Sequence, residues 1–416
     1  MQRIILMMNS LFQQALHISD PWFIKAIDFD NEAKRLDIQI DFKRGAKFSP
    51  SDEPKQSYTA YDSIGKTWRH LNFFEYECHL HARVPRVKNG DGKVRLISPP
   101  WSGVVNGFTL LFEALIVQLC QAMPVHCVAK ITGTTDHKIW RILDLYVKKA
   151  KANETFSDVT SIGVDETSVA KGHDYISLFV DLNDKRVIHI SDGKGSSTVT
   201  DFVEVFESKE GKAENITDIS CDMSRAFIKG VRENLPKAKV TFDKFHILKI
   251  INEGVDKVRR AEAINNPILK GTRYVFLKNE SNLTVKQKQT KEELSLAKLN
   301  LKSVRAMNIR ETFQQIYAAE TPDEFELLLK KWYGWITRCQ LPEMVKVGKT
   351  IKRHWDGILR WKESRINNGL LEGLNSILQA AKRKARGYKK DHFKTIAYLL
   401  TGKLDLSQVN INCSPT

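Results

Sequence analysis

Three carboxylates stand out for the chemistry their settings allow. Asp165 ends an apolar strand-like run (Ile162, Val164) and Asp222 ends another (Ile216, Ile219, Cys221), so each is expected to project from the end of a strand at a sheet edge. Glu372 lies in RINNGLLEGLNSILQAAKRKA, where Ile366, Leu370, Leu374, Ile377 and Ala381 recur at helical spacing. At about 100° per residue, Glu372 falls opposite that stripe, at the head of a polar face carrying Asn375, Ser376, Gln379, Arg383 and Arg386. An acid in a first helical turn also suits the helix dipole, and a plain surface glutamate is the competing explanation. Three hard oxygen ligands can hold two Mg²⁺ ions about 4 Å apart, with Mn²⁺ as a substitute, and such a pair clamps the attacking and leaving oxygens of a phosphodiester displacement. Asp165, Asp222 and Glu372 are therefore the expected catalytic, metal-holding residues. Glu166, Asp181 and Asp243 are acidic neighbours of strands and are read as structural.

The charge elsewhere suits such a pocket. The chain of 416 residues carries a formal +16, and residues 247–400 hold +15 of it, against +4 in 1–160 and −3 in 161–246. An excess of this kind seeks a polyanion. The cations are interleaved with Trp332, Tyr333, Trp335, Trp355, Trp361 and Tyr388, and no lipidation signal is present, which favours nucleic acid over a membrane surface. Solvated basic helix faces would explain isolated lysines, less easily KRKARGYKK from Lys382 to Lys390. Six scattered cysteines suit a reduced, cytoplasmic protein, no run is long enough for a membrane span, and MQRIILMM is short for a signal peptide.

The scaffold around these groups changes character along the chain. WFIKAIDFD and KRLDIQIDF alternate at period two around a charged turn, giving a small β-rich module over 1–104. Over 105–155 the period becomes helical, and MPVHCVAKITGTTDHKIWRILDLYVKK reads as two helices around a tight turn at Gly133, with Thr134 or Thr135 capping the second. Ile139, Ile142, Leu143 and Tyr146 would face inward, leaving Thr135, Lys138 and Arg141 outward as in a major-groove recognition helix; an ordinary helical hairpin fits as well. Residues 156–246 give three antiparallel strands, then helix, strand, helix and strand, the layout of a ribonuclease-H-like α/β sheet. An all-α stretch (247–362) interrupts it, and a last helix with a basic C-terminal segment (363–405) follows.

GVDETSVAKGHDYISLFVDL, SCDMSRAFIKGV, TFDKFHILKIINEGVDKVRR, LKGTRYVFLKN and NNGLLEGLNSILQAAKRKARGY resemble the catalytic core of bacterial DDE transposases of the ISL-three family. The resemblance spans nearly the whole chain. It implies an α/β, ribonuclease-H-like core interrupted by an α-helical insertion, cleaving DNA at insertion-sequence ends and joining the 3′-OH to a target. It carries the triad onto Asp165, Asp222 and Glu372, which are 57 and 150 residues apart, and implies that His246 sits near that centre. Arg365, Lys382, Arg383, Lys384 and Arg386 are the further expected DNA contacts, double-stranded DNA the partner, and a homodimer or higher assembly the working form. One feature departs from the family, whose zinc-ribbon-like module has two Cys-rich ligand pairs. Here only Cys78 and His81 remain, two ligands where structural zinc needs four, so a degenerate, zinc-free module is expected. A catalytically inactive remnant that only binds DNA, and a nuclease on the same fold, are the competing functions.

Overall fold

The structure is a computed structural model that describes residues 2–170, 174–364, 366 and 369–409. The chain forms two compact units: one built on residues up to Asn153, joined by Arg383–Arg386 and the chain from Leu404, the other on Glu154–Lys382 and Gly387–Lys403.

The first unit opens with helix α1 (Gln2–Ala15), which the sequence pattern does not announce, and a mixed sheet of β1 (Trp22–Asp30), β2 (Arg35–Phe42), β3 (Lys47–Phe48), β4 (Tyr58–Arg69), β5 (Glu77–Lys88) and β6 (Val94–Leu96). The strand order is β1-β2-β5-β4-β3, with β6 on β5; β2 and β5 run parallel and the other pairs antiparallel. Alternation decides the faces: Leu36, Ile38 and Ile40 of β2 and Cys78, Leu80, Ala82 and Val84 of β5 are buried with Trp22, Trp68 and Trp101. Three helices follow, α2 (Leu110–Ala122), α3 (Val125–Thr132) and α4 (Asp136–Ala152). Gly133 ends α3 in the left-handed region (φ 63°), as a tight helix-to-helix turn requires. Thr135 precedes α4, but its side chain makes no cap hydrogen bond.

The second unit carries a five-stranded sheet, β7 (Ser161–Ala170), β8 (Asp174–Asp181), β9 (Arg186–Asp192), β10 (Asp218–Cys221) and β11 (Lys239–Phe242), ordered β9-β8-β7-β10-β11. The first three pair antiparallel; β10 runs parallel to both β7 and β11. Helices α5 (Ser197–Glu207) and α6 (Arg225–Asn234) lie between β9, β10 and β11 in sequence. Period two again sorts the layers: Phe179 packs with Phe202 and Phe206, while Ile176, Leu178 and Val180 pack with Leu371, Leu374, Leu378 and Phe393 on the opposite face. An all-helical stretch comprises α7 (Lys244–Glu262), α8 (Arg273–Leu277), α9 (Val285–Leu294), α10 (Lys302–Ile316), α11 (Pro322–Arg338), α12 (Pro342–Arg353) and α13 (Trp355–Ser364). Several of its aromatics do core work, whereas Trp335, Tyr274 and Phe245 are exposed. Trp332 is 2% exposed and donates its indole N–H to Ile309 O (2.8 Å), and Trp355 is buried.

The chain closes on α14 (Gly369–Lys384) and α15 (Lys390–Thr401). Two expectations are corrected here. The buried stripe of α14 is Leu371, Leu374 and Leu378, whereas Ile377 is 47% exposed, because it is the former ridge that packs with Ile176, Leu178 and Val180 of β8. The basic C-terminal segment contains a packed helix, α15, whose Phe393, Ile396 and Ala397 repeat at helical spacing and are buried. No helix among the described residues is long and apolar enough to cross a membrane.

Candidate active site

The strand register brings Asp165 and Asp222 together. Gly163 of β7 pairs with Ser220 of β10, the last pair of that parallel ladder, and Asp165 and Asp222 each lie two residues further on, where the ladder opens. Asp222 lies just past the end of β10, as expected. Asp165 does not end a strand: it sits within β7, the central strand, at the point where its parallel neighbour stops and leaves one flank open.

The other wall is α14. Gly163, Asp165 and Thr167 share one face of β7 and meet Leu371, Asn375 and Gln379 in turn: Leu371 packs at Gly163, the Asn375 amide donates to Asp165 Oδ2, and Gln379 Nε2 donates to Thr167 Oγ1 (2.7 Å) and Ser168 O (3.2 Å). Two strand residues advance about 6.6 Å and four helical residues about 6.0 Å, so the periods stay matched over three contacts. Gly163 permits the docking, since a Cβ there would stand 2.9 Å from Leu371. Glu372 follows Leu371 and precedes Asn375 by three positions, on the solvent-facing rim of the same helix.

Each aspartate is held. The Glu166 N–H donates to Asp165 Oδ1 (2.8 Å) and the Ser224 N–H to Asp222 Oδ1 (2.8 Å). Burial pushes the Asp165 carboxyl above its ordinary range and the charge of Asp222 adds to this, while the Glu166 amide, His246 and Asn375 pull it down. Glu166 is raised by burial and by Asp222 as well, which sets it in the field of the same pair. His246, in the first turn of α7, thus stands within electrostatic reach of Asp165. Asn375 Oδ1 is buried without a hydrogen-bond partner. Among the described residues no three His, Cys, Asp or Glu side chains gather at metal-binding distance; two carboxylates adjoin and Glu372 stays on the rim. Asn375 and Gln379 sit on the expected polar face, but their role in docking α14 on β7 shows only once the two periods are laid side by side.

The other candidate residues are more dispersed. Thr135, Lys138 and Arg141 are exposed on α4, opposite the buried Ile139, Ile142, Leu143 and Tyr146. Lys382 is half-buried and donates to Ser168 O (2.8 Å), which ties α14 to β7. Arg383, Lys384 and Arg386 are exposed, and Arg365 lies outside the described residues. Cys78 and His81 do not form a half-site. An odd separation on one strand turns them to opposite faces of β5, Cys78 into the core and His81 to Asp37 Oδ1 (2.5 Å) and Thr67 Oγ1 (2.9 Å). Burial pushes the Cys78 thiol up to about 12, so it is neutral, not the thiolate that a metal takes.

Comparison with known proteins agrees with this layout. A transposase profile of the ISL3 group matches residues 162–397, from β7 to α15, and the profile for the helix-turn-helix domain of transposase family ISL3 matches residues 106–147. The chain is 25% identical over 369 residues to the transposase for insertion sequence element IS1557 of Mycobacterium tuberculosis, covering 81% of each chain. It is 26% identical over 337 residues to the transposase for insertion sequence element IS1001 of Bordetella parapertussis, covering 78% of this chain and 81% of that one. With a match across more than half its length, running through both aspartates and α14, the chain belongs to the ISL3 family of transposases.

Proposed function

We propose that this transposase cleaves DNA at the terminal inverted repeats of an insertion sequence and transfers the freed 3′ end to target DNA, with Asp165, Asp222 and Glu372 as its catalytic carboxylates. The observation that carries this is that Asp165 and Asp222 both lie two residues beyond the last pair of the parallel β7–β10 ladder, with α14 docked in register on β7 at Asp165. The strand order β9-β8-β7-β10-β11 supports reading the sheet as a ribonuclease-H-like core and α7–α13 as its insertion. On that reading the chain divides at about 104, 155, 246 and 362 into β-rich module, helix-turn-helix, first part of the core, insertion and final core helices.

The residues fit a divalent cation. The donors are hard oxygens, the charge of Asp222 adds to the cost of ionising Asp165, and an unpartnered amide oxygen, Asn375 Oδ1, lies beside Asp165. Asp165, Asp222 and Glu372 would hold Mg²⁺, or Mn²⁺ in its place, and the bound ions would activate the attacking hydroxyl and neutralise the leaving 3′ oxygen. The chain's own part is orientation: Glu166 N–H and Asn375 fix the two oxygens of Asp165, Ser224 N–H fixes Asp222, and the Leu371, Asn375 and Gln379 contacts fix against β7 the helix that carries Glu372. Thr135, Lys138 and Arg141 would read the repeat from the major groove, while His246, Arg365, Lys382, Arg383, Lys384 and Arg386 would contact DNA nearer the cut. A dimer or higher assembly would bring two ends together.

The test is strand nicking of a labelled duplex bearing the element's own terminal repeat, with Mg²⁺ or with a chelator. Nicking at the repeat boundary in Mg²⁺ alone supports the proposal. Tight binding to the repeat with no nicking in Mg²⁺ or Mn²⁺ contradicts it and leaves a DNA-binding remnant.

A further inference from the structure

The face of α7 that leads away from His246 lines a groove of about 900 Å³ against α8 and α10. Phe245, Lys249, Asn252, Asp256 and Arg260 recur at spacings of four, three, four and four, one side of one helix. Within the groove a single carboxylate serves three guanidiniums. Asp256 is buried and faces Arg259 (2.7 Å), Arg260 (3.5 Å) and Arg273 (3.6 Å). Glu253 also lines the groove, but two carboxylates cannot neutralise Lys249, Lys257, Arg259, Arg260, Arg273 and Arg310, and the side chains of Arg260 and Arg273 are 64% and 58% exposed, so the surplus faces solvent.

Arg310 makes the same point from below. It is 1% exposed, yet its guanidinium is held by neutral acceptors, Asn252 Oδ1 (2.8 Å), Asn279 Oδ1 (2.9 Å) and Phe276 O (3.4 Å), and the nearest carboxylate, Glu311, stands 4.0 Å away. Burying a cation among amides is costly, and a position that only filled the core would be better served by an apolar residue. In a second basic pocket, against α6 and β11, Arg360 pairs with Asp218 and Glu363 and Lys229 with Glu233.

We infer that the groove along α7 holds the phosphate backbone of duplex DNA flanking the cleaved position, with Arg260 and Arg273 as direct phosphate contacts and Asp256 holding them in place. The inference rests on the transposase reading above. From Phe245 to Arg260 the helix rises about 22 Å, and phosphates on one strand recur about every 3.4 Å, so the groove accepts about six of them. A free nucleotide would fill only one end. The groove starts at Phe245, two residues after Asp243 at the end of β11, the strand beside β10, so a backbone laid along it leads toward the sheet edge that carries Asp222. Arginine suits the role because its planar fork meets phosphate oxygens in pairs.

The experiment measures affinity of the full-length protein for a duplex of arbitrary sequence, from low to physiological salt, for wild type and for the double variant Arg260→Ser with Arg273→Ser. Both side chains are exposed and outside the catalytic machinery, and an unchanged thermal midpoint verifies folding. Removing two cations that each neutralise a phosphate should flatten the plot of log affinity against log salt by about two and weaken binding about tenfold or more. If wild type binds and the double variant keeps both slope and affinity, the groove is not a phosphate site and the transposase reading is untouched. If wild type binds no duplex at all, both are overturned.

Discussion

Two carboxylates, one in each unit, Glu113 and the half-buried Asp165, are treated in opposite ways. Glu113 of α2 is fully buried, and every donor around it is aimed at it: Val104 N–H (2.9 Å) and Tyr146 O–H (2.6 Å) on Oε2, Val105 N–H (2.7 Å) on Oε1. Burial raises its carboxyl above the ordinary range, and those donors offset part of that rise. It pins the 103–105 loop and α4 to α2, a wholly satisfied group of the kind that specifies a fold. Asp165 has donors too, but it stands beside a second carboxylate, and the amide that reaches it leaves its own oxygen buried and unpartnered. Two like charges side by side lower stability and persist where their joint charge is used. A satisfied buried acid therefore marks the frame, and a repelling pair marks the chemistry.

The sharpest way to break this contrast is to remove each charge in turn. Asp165→Asn keeps the shape and relieves the repulsion with Asp222; strand cleavage should fall on the order of 10³-fold or more while the thermal midpoint holds or rises. A fall in stability equal to the loss of activity would make Asp165 structural. Glu113→Ala should do the reverse, stranding two amides and a hydroxyl and costing about 4 kcal/mol in urea unfolding. A smaller effect follows from His70, which is buried against Thr109 (2.9 Å) and pushed down to about 4 by burial and then by Arg69. Its folded value lies below the unfolded 6.5, so between the two the unfolded chain binds a proton that the native one does not. The stabilisation is complete above 6.5 and is lost as pH falls toward about 4, about 3 kcal/mol in all by linkage. His70→Asn should remove that part of the acid sensitivity, as paired urea titrations at neutral and acid pH would read. The mildest change is Gly163→Ala, whose added methyl meets Leu371; about 1–2 kcal/mol of strain should accompany a larger proportional loss of cleavage, because α14 and Glu372 are displaced together.

Much of the fold is legible in the residue pattern, and the places where it is not are instructive. Period two marks β1, β2, β7, β8 and β9, and the helix-strand alternation after them marks α5, β10, α6 and β11, because those segments are half-buried and write their faces into the sequence. Thr135, Lys138 and Arg141 emerge exposed for the same reason. Parity decides what spacing cannot. Cys78 and His81 are three apart and face away from each other, whereas Asp165 and Asp222, 57 apart, are aligned by a parallel register that no local pattern reports. The ridge of α14 is displaced by one residue, Leu371 and Leu378 in place of Leu370 and Ile377, since an apolar-rich helix offers more than one stripe and only its partner sheet selects among them. Helix α15 is masked by the basic cluster before it. Lys390 and Lys394 of that region are engaged with Asp174 and Asp192, so part of the charge that suggests a DNA surface is used internally.

The most direct test of the central claim, that Asp165, Asp222 and Glu372 act as one centre, is a side-by-side assay of Asp222→Ala and Glu372→Gln on a labelled terminal repeat with Mg²⁺, with binding to the same duplex measured in parallel. Loss of nicking in both variants with binding retained is the predicted result. Nicking by Glu372→Gln at the wild-type rate would contradict it, and would leave the exposed glutamate on α14 as an ordinary surface residue.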